Sequence, residues 1–264
     1  MKAKALLLIT ILATGTIGSL AQTDDKSQLP VKVSHAEPIY FDLIRDLGAR
    51  KGEKELNVGM GVAGHGGRSE YAYLVEYEFA PVNRLGLEIE VPIAFRQPVS
   101  SDPKQEAHRG VEGIKAAAQY SFFVSEKLRT TMAVGYIFEK GQSKNGFASA
   151  HNPFFIVAKR WGRQFHSLLY TGPMYEFDQN HRVTQCALIN ASVHYVITGT
   201  RNFIGVEVNS ECTKQRSAVA VRPQIKMGLS PLSSLGLAVG MSNRHSDQSV
   251  DFLIRWIYEF KKKA

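Results

Sequence analysis

Carboxylates recur at every second position in two neighbouring runs of the chain. Glu76 and Glu78 lie in one run, and Glu88 and Glu90 lie in the next, beyond a short turn. If the two runs pair as an antiparallel hairpin, the turn places Glu76 opposite Glu88. Like charges that face each other across strands destabilise a sheet, so cationic side chains must offset them. The pattern predicts a charge cluster that is either neutralised by salt bridges or attracts cations, as charged rings do in channels.

The predicted cluster combines these acids with basic side chains at inward-facing positions. Its members are Glu76, Glu78, Glu88, Glu90, Arg129, Arg222 and Arg255. Arg255 is expected to reach across the first strand, and Lys115, Arg45 and Arg50 are further candidate counterions. We assign no catalytic residue, metal site or cofactor.

The cysteines and histidines carry weaker signals. Cys186 and Cys212 are candidates for a disulfide, but alternation puts them on opposite faces unless Cys212 already lies in a loop. Five histidines fall in five separate outer loops without a close pair, so their spacing does not indicate a metal site: His65, His108, His151, His181 and His245. His166 and Ser167 are adjacent on a strand and therefore face opposite ways, which leaves a lipid-modifying hydrolase as an alternative without an assigned nucleophile.

The elements that must position these side chains have a period of two. Tyr71, Tyr73 and Val75 alternate with polar or small residues, and the same alternation recurs along most of the chain. Successive side chains of a strand point to opposite faces, so these runs are strands with one apolar face each. We predict twelve strands: 55–64, 70–79, 84–95, 112–124, 128–139, 153–161, 165–177, 182–196, 201–212, 216–229, 234–242 and 249–260.

The polarity of the two strand faces predicts a membrane barrel. One face is apolar and carries aromatic residues near the strand ends, such as Phe95, Trp161 and Phe260, while the other carries the acids and bases. Aromatic girdles around an apolar band, with short turns at one end, are typical of outer-membrane barrels. The fold class is therefore all-β, an antiparallel transmembrane β-barrel of about 12 strands, and the barrel domain spans 55–260 with a basic tail at 261–264.

The first 21 residues have the features of a secretory signal peptide. Lys2 and Lys4 precede a short apolar run, and small residues lead to a cleavage site near Ala21. Removing residues 1–21 would lower the formal net charge from +8 to +6. The expected location is the outer membrane of a Gram-negative bacterium.

Residues 22–54 form a separate N-terminal segment. Tyr40, Leu43, Ile44 and Leu47 recur at helical spacing, and Pro38 and Gly48 suit the two ends of a helix. We therefore predict an amphipathic helix at about 36–47. A helix this short needs a surface to dock on, either the periplasmic end of the barrel or the lumen, where it would act as a plug.

The run 35–55 and the runs 76–81 and 84–88 also resemble a known group. HAEPIY followed by DLGARKGEKE, together with EYEFAP and RLGLE, is similar to Bacteroidota outer-membrane barrels grouped with the transporters of the phenol-degradation MetA-like family. This resemblance implies an outer-membrane barrel and a transport role.

We expect a passive or gated channel for a small solute that is still unknown. The alternatives are the hydrolase and a sealed barrel with a structural or surface role. Expected partners are outer-membrane lipid, lipopolysaccharide and the barrel-assembly machinery, and nucleic acid is not expected.

Overall fold

The structure of the chain is a computed structural model. It describes residues 29–41, 43–65, 68–97, 108–141, 147–213, 217–244 and 247–261. The predicted signal peptide, its cleavage site and most of the basic tail lie outside these residues.

The described residues form thirteen strands. In chain order they are β1 Lys54–His65, β2 Arg68–Val82, β3 Leu85–Gln97, β4 His108–Val111, β5 Gly113–Ser125, β6 Thr130–Gly141, β7 Phe147–Trp161, β8 Phe165–Asp178, β9 Val183–Val196, β10 Phe203–Thr213, β11 Ser217–Ser230, β12 Ser233–Arg244 and β13 Asp247–Glu259. Each strand is antiparallel to its neighbours.

The sheet closes into a barrel of twelve strands. Sequential strands pair around the ring, and β1 pairs with both β2 and β13, so the barrel has no free edge. β4 and β5 both pair with β3 and are interrupted at Glu112, whose backbone N–H bonds to Pro92 O at 2.8 Å. They therefore count as one barrel strand, and the predicted 12-stranded antiparallel barrel is confirmed.

The two faces of the wall have the predicted polarity. Large apolar side chains such as Ile89, Val134 and Trp256 are exposed on the outside, while Glu76, Gln119 and Glu207 are buried on the inside. Short turns join the strands at one end, where β1 begins and β13 ends. In outer-membrane barrels this end faces the periplasm.

The predicted helix at 36–47 is wrong. Residues 29–41 and 43–53 contain bends and turns but no helical residue. The physical reason is competition for the backbone: inward-facing side chains of the barrel accept the N–H groups that a helix would bond to its own carbonyls. Among the described residues, no helix is long and apolar enough to cross a membrane.

The predicted pairing of β2 with β3 is wrong by two residues. Glu76 faces Glu90 and Glu78 faces Glu88, because both strands continue to a tight turn at 83–84 and an irregularity between Phe79 and Val82 absorbs one residue. The inner surface thus holds two directly opposed pairs of carboxylates.

The candidate disulfide is not formed. Both cysteines are free: Cys186 is buried inside the barrel, and Cys212 is exposed. Cys186 pairs with Thr213 and Cys212 pairs with Ala187, so the two thiols stay on opposite faces of the wall.

Candidate functional site

Residues 29–41 and 43–53, which we call the lumen segment, lie inside the barrel at its short-turn end. Four backbone N–H groups bond to side chains on four different strands: Ala36 to His166 Nδ1 (2.7 Å), Ile39 to Gln224 Oε1 (2.6 Å), Phe41 to Glu207 Oε1 (2.8 Å) and Arg45 to Glu78 Oε2 (2.6 Å). Gly48 N–H bonds to a fifth strand through Ser121 Oγ at 2.8 Å. The barrel therefore binds this extended peptide through its side chains.

The apolar residues of the lumen segment pack on one part of the inner surface, which we call the apolar wall. Leu43, Ile44 and Leu47 are each 2% exposed. They contact a cluster contributed by β6, β7 and β8: Ala133, Phe154, Ile156, Ala158, Leu168 and Tyr170. The predicted apolar set is thus buried in the lumen, although the backbone that carries it is not helical. Tyr40 is 44% exposed and stays outside this cluster.

A neighbouring part of the inner surface, the charged wall, holds Glu55, Glu76, Glu78, Glu88, Glu90 and Lys115 from β1, β2, β3 and β5. Arg45 reaches it from the lumen segment and bonds to Glu55 Oε2 at 2.6 Å, with Glu78 Oε2 at 3.9 Å. Lys115 Nζ lies 3.0 Å from Glu88 and 2.5 Å from Glu90. The chain supplies the counterions for this wall from Arg45 and Lys115, two of the candidates read from the sequence.

Carboxylate oxygens of Glu76, Glu88 and Glu90 lie within 4.8 Å of one another, close enough to surround a cation. Lys115 already bonds two of these three side chains. Asn57 Nδ2 donates to Glu76 at 2.7 Å and to Glu78 at 2.9 Å. The arrangement is that of a hydrogen-bonded ion-pair network.

Arg222 belongs to a different part of the lumen. Its guanidinium bonds to both oxygens of Asp251, at 3.2 and 2.9 Å, and to Asn209 Oδ1 at 2.6 Å. It also lies 3.4 Å above the ring of Tyr40, so a cation–π contact joins β11 to the lumen segment.

The remaining members of the predicted cluster do not lie together in the structure. Arg255 is buried and lies between Gly59 and Gly236 of the neighbouring strands. Arg129 is not in the lumen: it lies in an exposed turn and donates to Gly162 O at 2.5 Å. The prediction for Arg129 was wrong because we expected this strand to begin at residue 128, whereas β6 begins at Thr130 and leaves Arg129 in the turn before it. The Arg50 side chain also bonds to none of the cluster acids among its described contacts, and its Nε donates to Pro30 O.

Two cavities flank the lumen segment. The larger, which we call the vestibule, has a volume of about 780 Å³ and lies toward the long-loop end, with Tyr40, Phe41 and Ile44 in its lining. The smaller, of about 320 Å³, lies on the short-turn side and includes His35, Glu37 and His166 in its lining. The lumen segment thus separates the two spaces.

Charged groups of the lumen segment have shifted pKa values. Burial lowers the pKa of Lys32, but Asp46 and Glu53 outweigh burial and hold it above its usual value. Burial and the adjacent Asp46 carboxylate raise the pKa of Glu37 well above its usual range. Burial, with His166 and Arg160 nearby, lowers the pKa of His35 to about 3. The docked segment therefore favours a neutral His35.

Several residues of this site were absent from the predicted cluster. Glu207, Gln224 and His166 bind the backbone of the lumen segment. The alternation of their strands predicts that these side chains face inward, and this was the only indication in the sequence. That alternation does not reveal that their partner is a peptide. His166 faces inward while Ser167 accepts a bond from Trp161 Nε1 on the outside, so the two do not form a nucleophile–base pair.

A closed twelve-stranded barrel with a polar lumen that holds its own N-terminal segment defines the class as an outer-membrane-type barrel. The chain belongs to the HAEPLYID-like family, whose model matches residues 31–259. The letters of that description correspond to residues 35–42, of which 35–41 lie inside the lumen, and six of the eight are identical. No curated protein sequence matches the chain significantly.

Solved structures of similar fold are outer-membrane channels. The COG4313 outer membrane channel from Pseudomonas putida F1 is 12% identical with a TM-score of 0.61, and the match covers 82% of this chain and 98% of that one. The KdgM porin in complex with disordered oligogalacturonate is 14% identical with a TM-score of 0.57, covering 78% and 99%. The NanC porin is 8% identical with a TM-score of 0.57, covering 78% and 100%. At these identities the likeness concerns the fold.

Proposed function

We propose that the protein is a gated channel for small solutes in the outer membrane of a Gram-negative bacterium, with the lumen segment as its plug. The observation that carries the proposal is the pair of cavities, about 780 and 320 Å³, separated by the lumen segment. A barrel of twelve strands is wider than the eight-stranded barrels whose interiors side chains fill. Displacing the segment would join the two cavities.

The plug is bound in a way that permits its release. Backbone bonds join the end of the segment to the wall, with Gly52 N–H on Ala80 O at 2.8 Å and Ala80 N–H on Glu53 O at 2.9 Å, whereas the part before it is held by side-chain contacts such as those to Glu78, Glu207 and Gln224. Exchanging these contacts for water leaves the barrel hydrogen bonds intact. A segment of this kind can leave without unfolding the strands.

The charges that line the vestibule indicate which class of solute it can accept. Six acids face three bases there: Glu70, Glu88, Glu90, Glu139, Glu211 and Asp251 against Lys115, Arg222 and Arg255. The KdgM porin has been captured with oligogalacturonate, a polyanion. An acidic vestibule does not suit a polyanion, so we infer a different solute class for this chain.

The remaining assignments are proposals of the same kind. Residues 1–21 would be removed near Ala21 on export, and the apolar outer face would contact lipid and lipopolysaccharide after insertion by the barrel-assembly machinery. A relation to the MetA-like transporters of Bacteroidota fits the resemblance of residues 35–95. Neither hydrolysis nor a sealed barrel is favoured by a site described above.

The test is electrical. The mature chain and a variant lacking 22–53 would be reconstituted in planar bilayers, with heat-modifiable gel mobility confirming that both barrels are folded. We expect larger and more frequent conductance steps from the truncated form. A synthetic peptide of residues 31–50, added from the short-turn side, should close it, and a scrambled peptide should not. Folded but silent barrels in both forms would overturn the channel.

A further inference from the structure

The hydrogen-bond ladder between β7 and β8 is interrupted at mid-strand. His151 pairs with Tyr175 and Phe155 pairs with Thr171, but the three positions between them are unpaired on both strands. In this register Pro153 lies directly opposite Pro173. We call this interruption the β7–β8 seam, consisting of 152–154 and 172–174. It leaves roughly 13 Å of strand without a ladder bond at about 3.3 Å per residue.

The seam is explained by the two prolines. Facing residues of an antiparallel pair exchange two N–H···O bonds at every second position, and proline has no N–H to give. With proline on both sides, both donors are missing, and the carbonyls of Pro153 and Pro173 lose their partners. Unpaired backbone groups in a membrane wall are costly, so something else has to satisfy these oxygens.

Asn152 supplies the missing donor from inside the barrel. Its Nδ2 donates to Pro173 O at 2.9 Å and to Pro153 O at 3.3 Å. One amide side chain therefore replaces two ladder bonds. The strands still touch, because a Cβ at Gly172 would come within 2.2 Å of Pro153 O. The seam is closed by contact and by Asn152, and not by a continuous ladder.

Prolines elsewhere in the strands, such as Pro92 and Pro223, interrupt the wall less completely. Pro92 O accepts the backbone N–H of Glu112 at 2.8 Å. Pro223 lies in a gap of the β11–β12 ladder, between Val221↔Met241 and Gln224↔Ala238, where the facing residue is Val239. Valine retains its N–H, so one donor is lost there instead of two. The doubled proline distinguishes the β7–β8 seam.

The seam is connected to the plug. The Tyr170 hydroxyl bonds to Asn152 Oδ1, and the ring of Tyr170 packs on that of Phe41 with the centroids 4.0 Å apart. Phe41 is in turn held by its N–H bond to Glu207. A contiguous path therefore runs from the lumen segment, through Tyr170, to the side chain that closes the seam.

The vestibule lining beside the seam is largely apolar. Ile137, Met174 and Leu188 line the cavity together with Phe41 and Tyr170, whereas its ionised groups come from β2, β3, β5, β6, β10, β11 and β13. A solute that rests against this side meets apolar surface and aromatic rings, and on the far side of the seam lies lipid.

We propose that the β7–β8 seam is a lateral exit, through which small uncharged aromatic or apolar solutes pass from the vestibule into the membrane. This inference rests on the proposed channel function and gives it a substrate class. Asn152 is the latch of the exit, and Phe41 and Tyr170 transmit the position of the plug to it. A solute leaving by this route does not need to pass the lumen segment.

The test uses the full chain in a porin-deficient Gram-negative host, with N-phenyl-1-naphthylamine as the probe. This uncharged dye fluoresces when it enters lipid and is excluded by an intact outer membrane. Cells with the wild-type chain should take it up faster than cells with an empty vector. The double variant Pro153→Val, Pro173→Val restores both donors, and two added hydrogen bonds would reduce the open population roughly thirtyfold.

Matched variants separate the seam from general effects. Pro223→Val restores a donor in another ladder and should take up dye as the wild type does. Gly172→Ala pushes the strands apart and should take up dye faster than the wild type. The single variants Pro153→Val and Pro173→Val should fall between the wild type and the double variant, and they serve if the double variant does not fold. Heat-modifiable mobility and surface labelling establish folding and insertion.

The outcomes distinguish the two proposals. Dye uptake at vector level in the double variant, with Pro223→Val unchanged, supports the lateral exit. Wild-type uptake in the folded double variant overturns it. If the wild type takes up no more dye than the vector, the lateral exit fails, and the channel survives only if the 22–53 deletion conducts.

Discussion

The charged wall and the apolar wall hold the same peptide by different physics. On the charged wall, Arg45 inserts a guanidinium among buried carboxylates, with Glu55 at 2.6 Å. On the apolar wall, Leu43, Ile44 and Leu47 bury their side chains against Phe154, Leu168 and Tyr170. The first contact depends on charge balance and the second on shape and area. A segment held by both walls can be loosened at either one, and the two contacts respond to different substitutions.

The largest effect should come from the charged wall. Arg45→Met removes the cation while keeping the length of the side chain, and it leaves Glu55 and Glu78 buried without it. Loss of one partner of a buried ion pair costs about 3–5 kcal/mol. We expect faster proteolytic cleavage of the lumen segment and more conductance. Arg50→Met, at a residue bonded to Pro30 O, is the control. Equal protection of both variants would mean that charge does not hold the plug.

The apolar wall should give a slightly smaller effect. Leu43→Ala leaves a cavity against the cluster around Tyr170, at a cost of about 3 kcal/mol for a buried leucine. The same proteolysis assay measures it. Leu29→Ala, at a residue that is 64% exposed, should leave protection as it is. Protection of Leu43→Ala equal to that of Leu29→Ala would contradict a role of the apolar wall.

A steric change tests the charged wall without altering charge. At Gly86 a Cβ would lie 2.1 Å from Ile44 O and 2.8 Å from Arg45 Cβ, so Gly86→Ala must displace the segment. Overpacking of this kind costs about 1–3 kcal/mol. Gly61→Ala, whose added Cβ meets its neighbours at 3.7 Å or more, is the matched control. Conductance of Gly86→Ala no higher than that of Gly61→Ala would show that the segment is not the obstruction.

The smallest effect concerns pH. The pKa of His35 is about 3 in the docked segment and about 6.5 when free, so its contribution to docking is complete above pH 6.5 and is lost as the pH falls toward 3. Glu37 acts in the opposite direction, because its raised pKa favours docking at low pH and weakens it as the pH rises above 4.5. The informative quantity is therefore a difference. Between pH 7 and 4, conductance should rise more in the wild type than in His35→Asn, and identical profiles would show that His35 does not contribute to the docking of the lumen segment.

The alternation of apolar and polar residues with a period of two predicted most of the fold, because it shows which face of each strand points into the barrel and which points out. The same rule placed Glu76, Glu78, Glu88 and Glu90 in the lumen. It did not give their pairing, since the irregularity after Phe79 is a backbone event without a distinctive residue pattern.

Two further features could not be predicted from the sequence, for physical reasons. The spacing of Leu43, Ile44 and Leu47 is helical, but the barrel offers acceptors for the backbone of this segment, and these acceptors come from distant strands. Both Pro153 and Pro173 are visible in the sequence, yet their facing each other depends on the register of β7 and β8. In both cases the deciding partner is remote along the chain.

The binding of Ile39 to Gln224 joins residues 185 positions apart, and that of Ala36 to His166 joins residues 130 positions apart. The part of the barrel that is synthesised first therefore acquires its contacts last, once β8 and β11 are in place. During export this stretch has to remain without its final partners while the strands assemble. Before the segment docks, the barrel would have every strand paired and its lumen open. Assembly would therefore pass through a leaky intermediate, which ends when the segment docks.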